Sequence, residues 1–257
     1  MIFEITPGAA SSPVILHVPH AARAITPAAR ESLVVDDAML SEELDNLTDA
    51  HTDLLARRAA GLAEVPPWIF EYRWSRLVVD PERFPDEREE MRAVGMGAVY
   101  THGFAGRKLR DDDWVRDRAL LQTHFRPYSE AFAALVADRC AIAGRCVIVD
   151  VHSYPTVRLP YEMHGLGPRP PVCLGTDPEH TPGWLLSAAQ AAFPSFALDT
   201  PFAGTYVPLA FHGRDRRVSS LMIEIRRDGY MTEPGGPFHE GLDSLAAALA
   251  RLINAVS

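Results

Sequence analysis

Lysine is almost missing from this chain: of its 25 Lys and Arg residues only Lys108 is a lysine. Thirty-four Asp and Glu outweigh them, for a net charge of −9. A chain so short of cations lacks the basic face that duplex nucleic acid or an anionic membrane requires. A small anionic substrate stays open, because it needs only a few arginines gathered locally. Cysteine is scarce too. Cys140, Cys146 and Cys173 are odd in number and show no CxxC spacing, which excludes a disulfide framework and a cysteine zinc knuckle and suits a reducing compartment. No apolar run reaches the ~18 residues of a membrane span, and the opening Met-Ile-Phe-Glu-Ile does not read as an export signal. The expectation is a cytoplasmic protein without a membrane or nucleic-acid partner; oligomeric state is not legible. GxGxxG, GxxxxGK[ST], HExxH and a GxSxG elbow are all lacking, so dinucleotide, P-loop, zincin and serine-hydrolase readings have no support.

What is present is an ordinary globular composition, 47% hydrophobic and 23% charged over 257 residues, enough to bury one large core. Scattered prolines and no fixed-period repeat point to a single domain, 1–257. Short apolar runs predict strands at Val14 to Val18, Arg76 to Val79, Cys146 to Val151, Val172 to Leu174 and Leu221 to Ile225. Helical periodicity predicts helices over Asp36 to Leu62, Trp114 to Ala141, Pro182 to Ala192 and Leu242 to Val256. Strands alternating with helices imply an α/β sandwich, a mostly parallel mixed sheet flanked by helices. In such a sheet the ligand crevice lies beyond the carboxyl ends of the strands.

Three predicted strands run directly into polar clusters: Pro19-His20, Asp150-Val-His152-Ser153, and Glu224-Ile-Arg226-Arg227. Strand ends hold side chains rigidly, so histidines from two strands can converge on one metal ion. Two histidines leave a zinc site incomplete. The acidic stretch Glu42 to Asp53 offers several third ligands, Glu43, Asp45, Asp49 and Asp53 among them.

At these residues the sequence resembles the N-formylglutamate amidohydrolase family, whose fold is similar to that of zinc-dependent carboxypeptidases. Val18-Pro19-His20 matches its VPH segment, Thr48-Asp49 its TD, and Ser75-Arg76-Leu-Val-Val-Asp80-Pro-Glu82-Arg83 its SRLVVDxNR. Arg126-Pro-Tyr128 matches RPY, Asp150-Val-His152-Ser153 matches DxHS, Pro201-Phe-Ala-Gly204 matches PFxG, and Glu224-Ile-Arg226 the late ExN/R segment. The order is the family's. Departures lie around the substrate pocket: Ala21 and Ala22 replace Ser-Gly, Glu82 replaces Asn, Ser129 replaces His, and Ala203 and Thr205 interrupt PFRGG.

The resemblance implies His20, Asp49 and His152 as ligands of one Zn²⁺, other divalent ions also suiting such a donor set, with a fourth position for water. It implies Glu224 as general base and later acid, and Tyr128 as donor to the developing oxyanion. Arg76, Arg83 and Arg226, with Ser153, would bind a small N-acyl amino acid, guanidinium holding carboxylate bidentately. The expected reaction is hydrolysis of N-formyl-L-glutamate to formate and L-glutamate. A metallocarboxypeptidase, a deacylase of larger acyl groups and a metal-binding relative without activity are the alternatives. A roomy acyl cavity would favour the larger acyl groups.

Overall fold

A computed structural model describes residues 1–163 and 167–257. Seven strands form one sheet: β1 Phe3–Thr6, β2 Val14–Val18, β3 Trp68–Tyr72, β4 Cys146–Tyr154, β5 Val172–Gly175, β6 Phe196–Leu198 and β7 Val218–Arg226, in the order β1-β3-β2-β4-β7-β5-β6. The central four, β3, β2, β4 and β7, are mutually parallel. β1 and β5 join them antiparallel, and β6 runs parallel to β5. The mostly parallel α/β sheet read from the sequence is therefore the observed architecture.

Alternate residues of the central strands pack on opposite layers, as the two-residue period of a strand demands. Val14, Leu16, Val147 and Val149 meet α3 Thr52–Leu62, α6 Gly183–Ala192 and α7 Gly241–Val256 on one face. Ile15 and Ile148 meet α5 Arg126–Ala143 on the other, among Phe70, Tyr128 and Phe132. Both faces are covered, which is why these strands are apolar without a break. After β2 the chain turns to β3 on one side, whereas after β4 it proceeds to the opposite half of the sheet. The gap between β2 and β4 is thus a topological switch point, where a crevice opens at the carboxyl edge.

Several elements differ from the sequence reading. Arg76 to Val79 is a turn, closed by Val78 N donating to Ser75 O at 2.8 Å, and its Leu77, Val78 and Val79 are buried. A short apolar run looks the same in a strand as in a buried turn. The strand lies just before it, at Trp68–Tyr72. After the short α1 Pro27–Glu31, the helix expected over Asp36 to Leu62 is two, α2 Asp37–Leu47 and α3 Thr52–Leu62. Thr48 is extended at ψ 133° and His51 takes a left-handed φ of 68°, so the axis breaks at Asp49. Helix α4 Trp114–Leu120 continues through a π-turn, Leu121–Phe125, into α5. Pro127 explains the wide turn, since it has no N–H for the i−4 carbonyl.

Candidate metal centre

The β2–β4 crevice receives a side chain from each expected segment. His20 follows β2, His152 lies on β4, and Asp49 sits in the α2–α3 break, where its N–H donates to the His20 carbonyl at 3.0 Å. All three are buried. His20 Nδ1 lies 3.3 Å from His152 Nδ1, and Asp49 Oδ2 lies 3.7 Å from the former and 3.1 Å from the latter. Donors bound tetrahedrally at ~2.0–2.1 Å stand about 3.3 Å apart, so this N₂O triangle is within a few tenths of an ångström of the spacing that a tetrahedral divalent ion requires.

Carboxylates back both rings. His20 Nε2 faces Asp80 Oδ1 at 2.9 Å, and Asp80 in turn accepts from Tyr100 Oη at 2.6 Å. His152 Nε2 lies 3.0 Å from Asp150 Oδ1 and 3.2 Å from Glu82 Oε2. Such partners orient a ligating imidazole and raise its basicity. Burial opposes protonation of His152, but Glu82 and Asp150 outweigh it and hold its pKa well above the ordinary value. Burial also works against ionised Asp49; the hydrogen bonds to His152 and His20 and the charge of Arg76 prevail and hold its carboxyl well below the usual range.

Glu224 is paired with His152 across β4 and β7 and lines the same cavity of about 150 Å³. Its Oε2 is buried and has no hydrogen-bond partner among the described residues. Burial, with the charge of Asp49 adding to it and those of His152 and Arg227 opposing, pushes its pKa up to about 8. A carboxyl poised near neutrality beside a set of metal donors is suited to moving a proton.

The other expected residues divide. Arg76 rests its Nη2 against both ring nitrogens of His20, and Arg83 lies 3.5 Å from Asp80; both line the cavity. Ser153 is there too, its Oγ accepting from Arg227 Nε at 3.2 Å. Arg226 is not: it pairs with Asp228 at 2.7 Å and donates to the Arg169 carbonyl, away from the cavity. β7 ends at Arg226, so alternation fails at the next residue and Arg227 enters the site, donating to Asp49 Oδ1 at 3.1 Å. Tyr128 is also displaced from the role expected of it. It is fully buried on the α5 face and lines no cavity next to the donors; its hydroxyl is bonded to His17 Nε2. Three residues that sequence reasoning passed over, His17, Asp80 and Arg227, are thus built into the centre or its support. The doubled arginine at 226–227 and the aspartate inside the SRLVVD run were the available signals.

Sheet, switch point and donor triangle together define a class: an α/β protein with a buried N₂O group able to hold a divalent ion at the carboxyl edge of a parallel sheet. The chain belongs to the N-formylglutamate amidohydrolase family, whose model matches residues 12–231. Its fold is that of the crystal structure of N-formylglutamate amidohydrolase from Ralstonia eutropha JMP134, at 23% identity and TM-score 0.81 over 98% of this chain and 96% of that one. A gene product of Agrobacterium tumefaciens is similar at 21% identity and TM-score 0.70, covering 98% and 93%. No curated protein sequence matches the chain significantly.

Proposed function

We propose that this protein is a metal-dependent amidohydrolase that cleaves the amide of an N-acyl amino acid, N-formyl-L-glutamate giving formate and L-glutamate. The observation that carries the reading is the buried triangle of His20 Nδ1, His152 Nδ1 and Asp49 Oδ2 beside the unpartnered carboxyl of Glu224. The donor distances and the mix of imidazole and carboxylate fit zinc. A bound divalent ion supplies Lewis acidity, polarising the scissile carbonyl and bringing the pKa of its water from 15.7 toward ~7.

The chain's own groups do the rest. Glu224 takes the proton of the attacking water at its free Oε2 and returns it to the leaving amine nitrogen. Positive charge at the triangle favours the ionised carboxylate that the first of these transfers requires. Asp80, hydrogen-bonded to His20 Nε2, keeps the Nδ1 of that ring facing the triangle, and Asp150 and Glu82 lend negative charge to the far edge of His152. Arg76, Arg83 and Arg227 supply the positive charge for the substrate's carboxylates. Arg227 belongs to this group in place of Arg226 because it lines the cavity, held there by Ser153, Asn46 and Asp49, whereas Arg226 lies outside it against Asp228.

Metal analysis of the purified protein, combined with amine release from N-formyl, N-acetyl and N-succinyl amino acids, tests the reading. A stoichiometric divalent ion and turnover of N-acyl glutamates are expected. Turnover without any ion, or a loaded protein that releases no amine from the set, would overturn it.

A further inference from the structure

The metal cavity does not end at its own wall. Glu82, Arg83, Ala203 and Met222 border both it and a second cavity of about 310 Å³, roughly twice its size. The linings differ in kind. Arg76 and Arg227 face only the first. The second carries Phe84, Phe125, Tyr206, Val207 and Leu209, with Ser129, Thr205 and His212 among its polar members. Its deeper carboxylates are already engaged: Asp150 accepts from His17 at 2.8 Å and from Tyr206 N at 3.1 Å, and Asp177 from the N–H groups of Glu179 and His180 at 2.8 and 2.9 Å. A free carboxylate entering it would meet no guanidinium beyond the shared Arg83, and a free ammonium no unclaimed carboxyl oxygen beyond Glu82 Oε1 at the shared rim.

A formyl group leaves such a chamber unfilled. Resting on the reading of the site as an N-acyl amidohydrolase, we propose that the second cavity is an acyl-binding chamber and that the preferred substrates carry an uncharged apolar acyl group of several carbons. The amino-acid end lies toward Arg76 and Arg227, the amide carbonyl beside the donor triangle, and the acyl chain passes the Glu82–Arg83 rim onto Val207 and Leu209. Each methylene buried there is worth about 0.8 kcal/mol, or roughly a fourfold gain in kcat/KM, until the chamber is full.

The test is a series of N-formyl, N-acetyl, N-butanoyl and N-hexanoyl glutamate, with the dipeptide leucyl-glutamate to present a free amine in the same space. Values of kcat/KM from the metal-loaded protein should rise at least tenfold from formyl to hexanoyl, with the dipeptide below the acyl compounds. Leu209→Asp, which places a charge on the apolar wall, should cut the hexanoyl-to-formyl ratio at least tenfold, while Leu209→Met keeps it. In parallel, calorimetric Kd values for the same ligands on Glu224→Gln protein should fall as the chain lengthens. Rates and affinities that are flat or decline from formyl onward overturn the chamber and leave a deformylase intact. Preference for the dipeptide also overturns it, by showing that the space reads an amine. If native protein cleaves no member, the amidohydrolase reading fails, and the trend in Kd alone then decides whether the chamber binds acyl chains.

Discussion

Among the described residues three groups of side chains at the carboxyl edge of the sheet could hold a divalent ion; one of them, His20, Asp80 and Glu82, borrows its imidazole from the first, so the comparison lies between His20, Asp49 and His152 and, on the far side of His152, His17, Glu82 and Asp150. They differ in composition, two imidazoles and a carboxylate against one imidazole and two carboxylates, and only the first lies wholly on the arginine-lined cavity, which Glu82 alone of the second touches. His17 is fully buried and stacks on Phe132 and Tyr206, with centroids 4.5 and 5.0 Å away. Both its ring nitrogens are spoken for, Nδ1 by Asp150 at 2.8 Å and Nε2 by the Tyr128 hydroxyl. The lesson is that donor proximity does not make a reaction centre. Access for substrate and a free acid–base group beside the donors do, and Glu224 stands only at the first.

Breaking the first group should have the largest effect. His152→Ala is expected to lose the bound ion and with it all measurable amide hydrolysis, as read by metal analysis and amine release. Next comes Glu224→Gln, which keeps the ion but lowers turnover at least about a hundredfold, the usual scale of acid–base catalysis. Retention of more than about a tenth of the rate would move the base elsewhere.

Disturbing the second group should cost stability instead. His17→Leu leaves buried Asp150 and Tyr128 short of a partner, at about 1–3 kcal/mol, or ~2–4 °C of Tm for each kcal/mol. Its metal content should equal wild type; loss of an ion would make the second group a metal site as well. A smaller effect concerns pH. Because the folded pKa of Glu224 is raised from the ordinary 4.5 to about 8, the metal-free fold is favoured while this carboxyl is protonated. Its contribution is complete below about 4.5 and lost as pH climbs to about 8. Melting curves of chelated protein across that window should fall, and Glu224→Gln should flatten the slope. The smallest change is Arg226→Met, about 1 kcal/mol or less with unaltered substrate preference, whereas Arg227→Met should lose the preference for an acid over its carboxamide.

The sequence exposed the core strands and the polar residues at their ends because parallel strands buried on both faces are written as apolar runs that stop abruptly. β1 and β6 left no such trace, being short and at the sheet's edges, where partial exposure dilutes the apolar signal. Asp49 could be placed only by resemblance. Its position depends on a break in a segment whose apolar spacing continues from one helix into the next, and no glycine or proline marks the break. His51 takes the left-handed turn despite its Cβ, helped by Nε2 bonding to the Gly236 carbonyl at 2.9 Å, a contact far away in sequence. Arg227 was hidden for the opposite reason. The resemblance to the late ExN/R segment selects Arg226, and only the end of β7 brings its neighbour to the cavity instead.

The hydrogen bond from Asp49 N to His20 O joins the main chains of two of the three donors. The carboxylate and the imidazole therefore travel as one body when this corner of the protein fluctuates, and neither can drift without the other. One amide proton consequently reports on this corner: that of Asp49 exchanges with solvent when the two segments part, so its exchange rate measures how often the protein forgets the shape of its donor triangle.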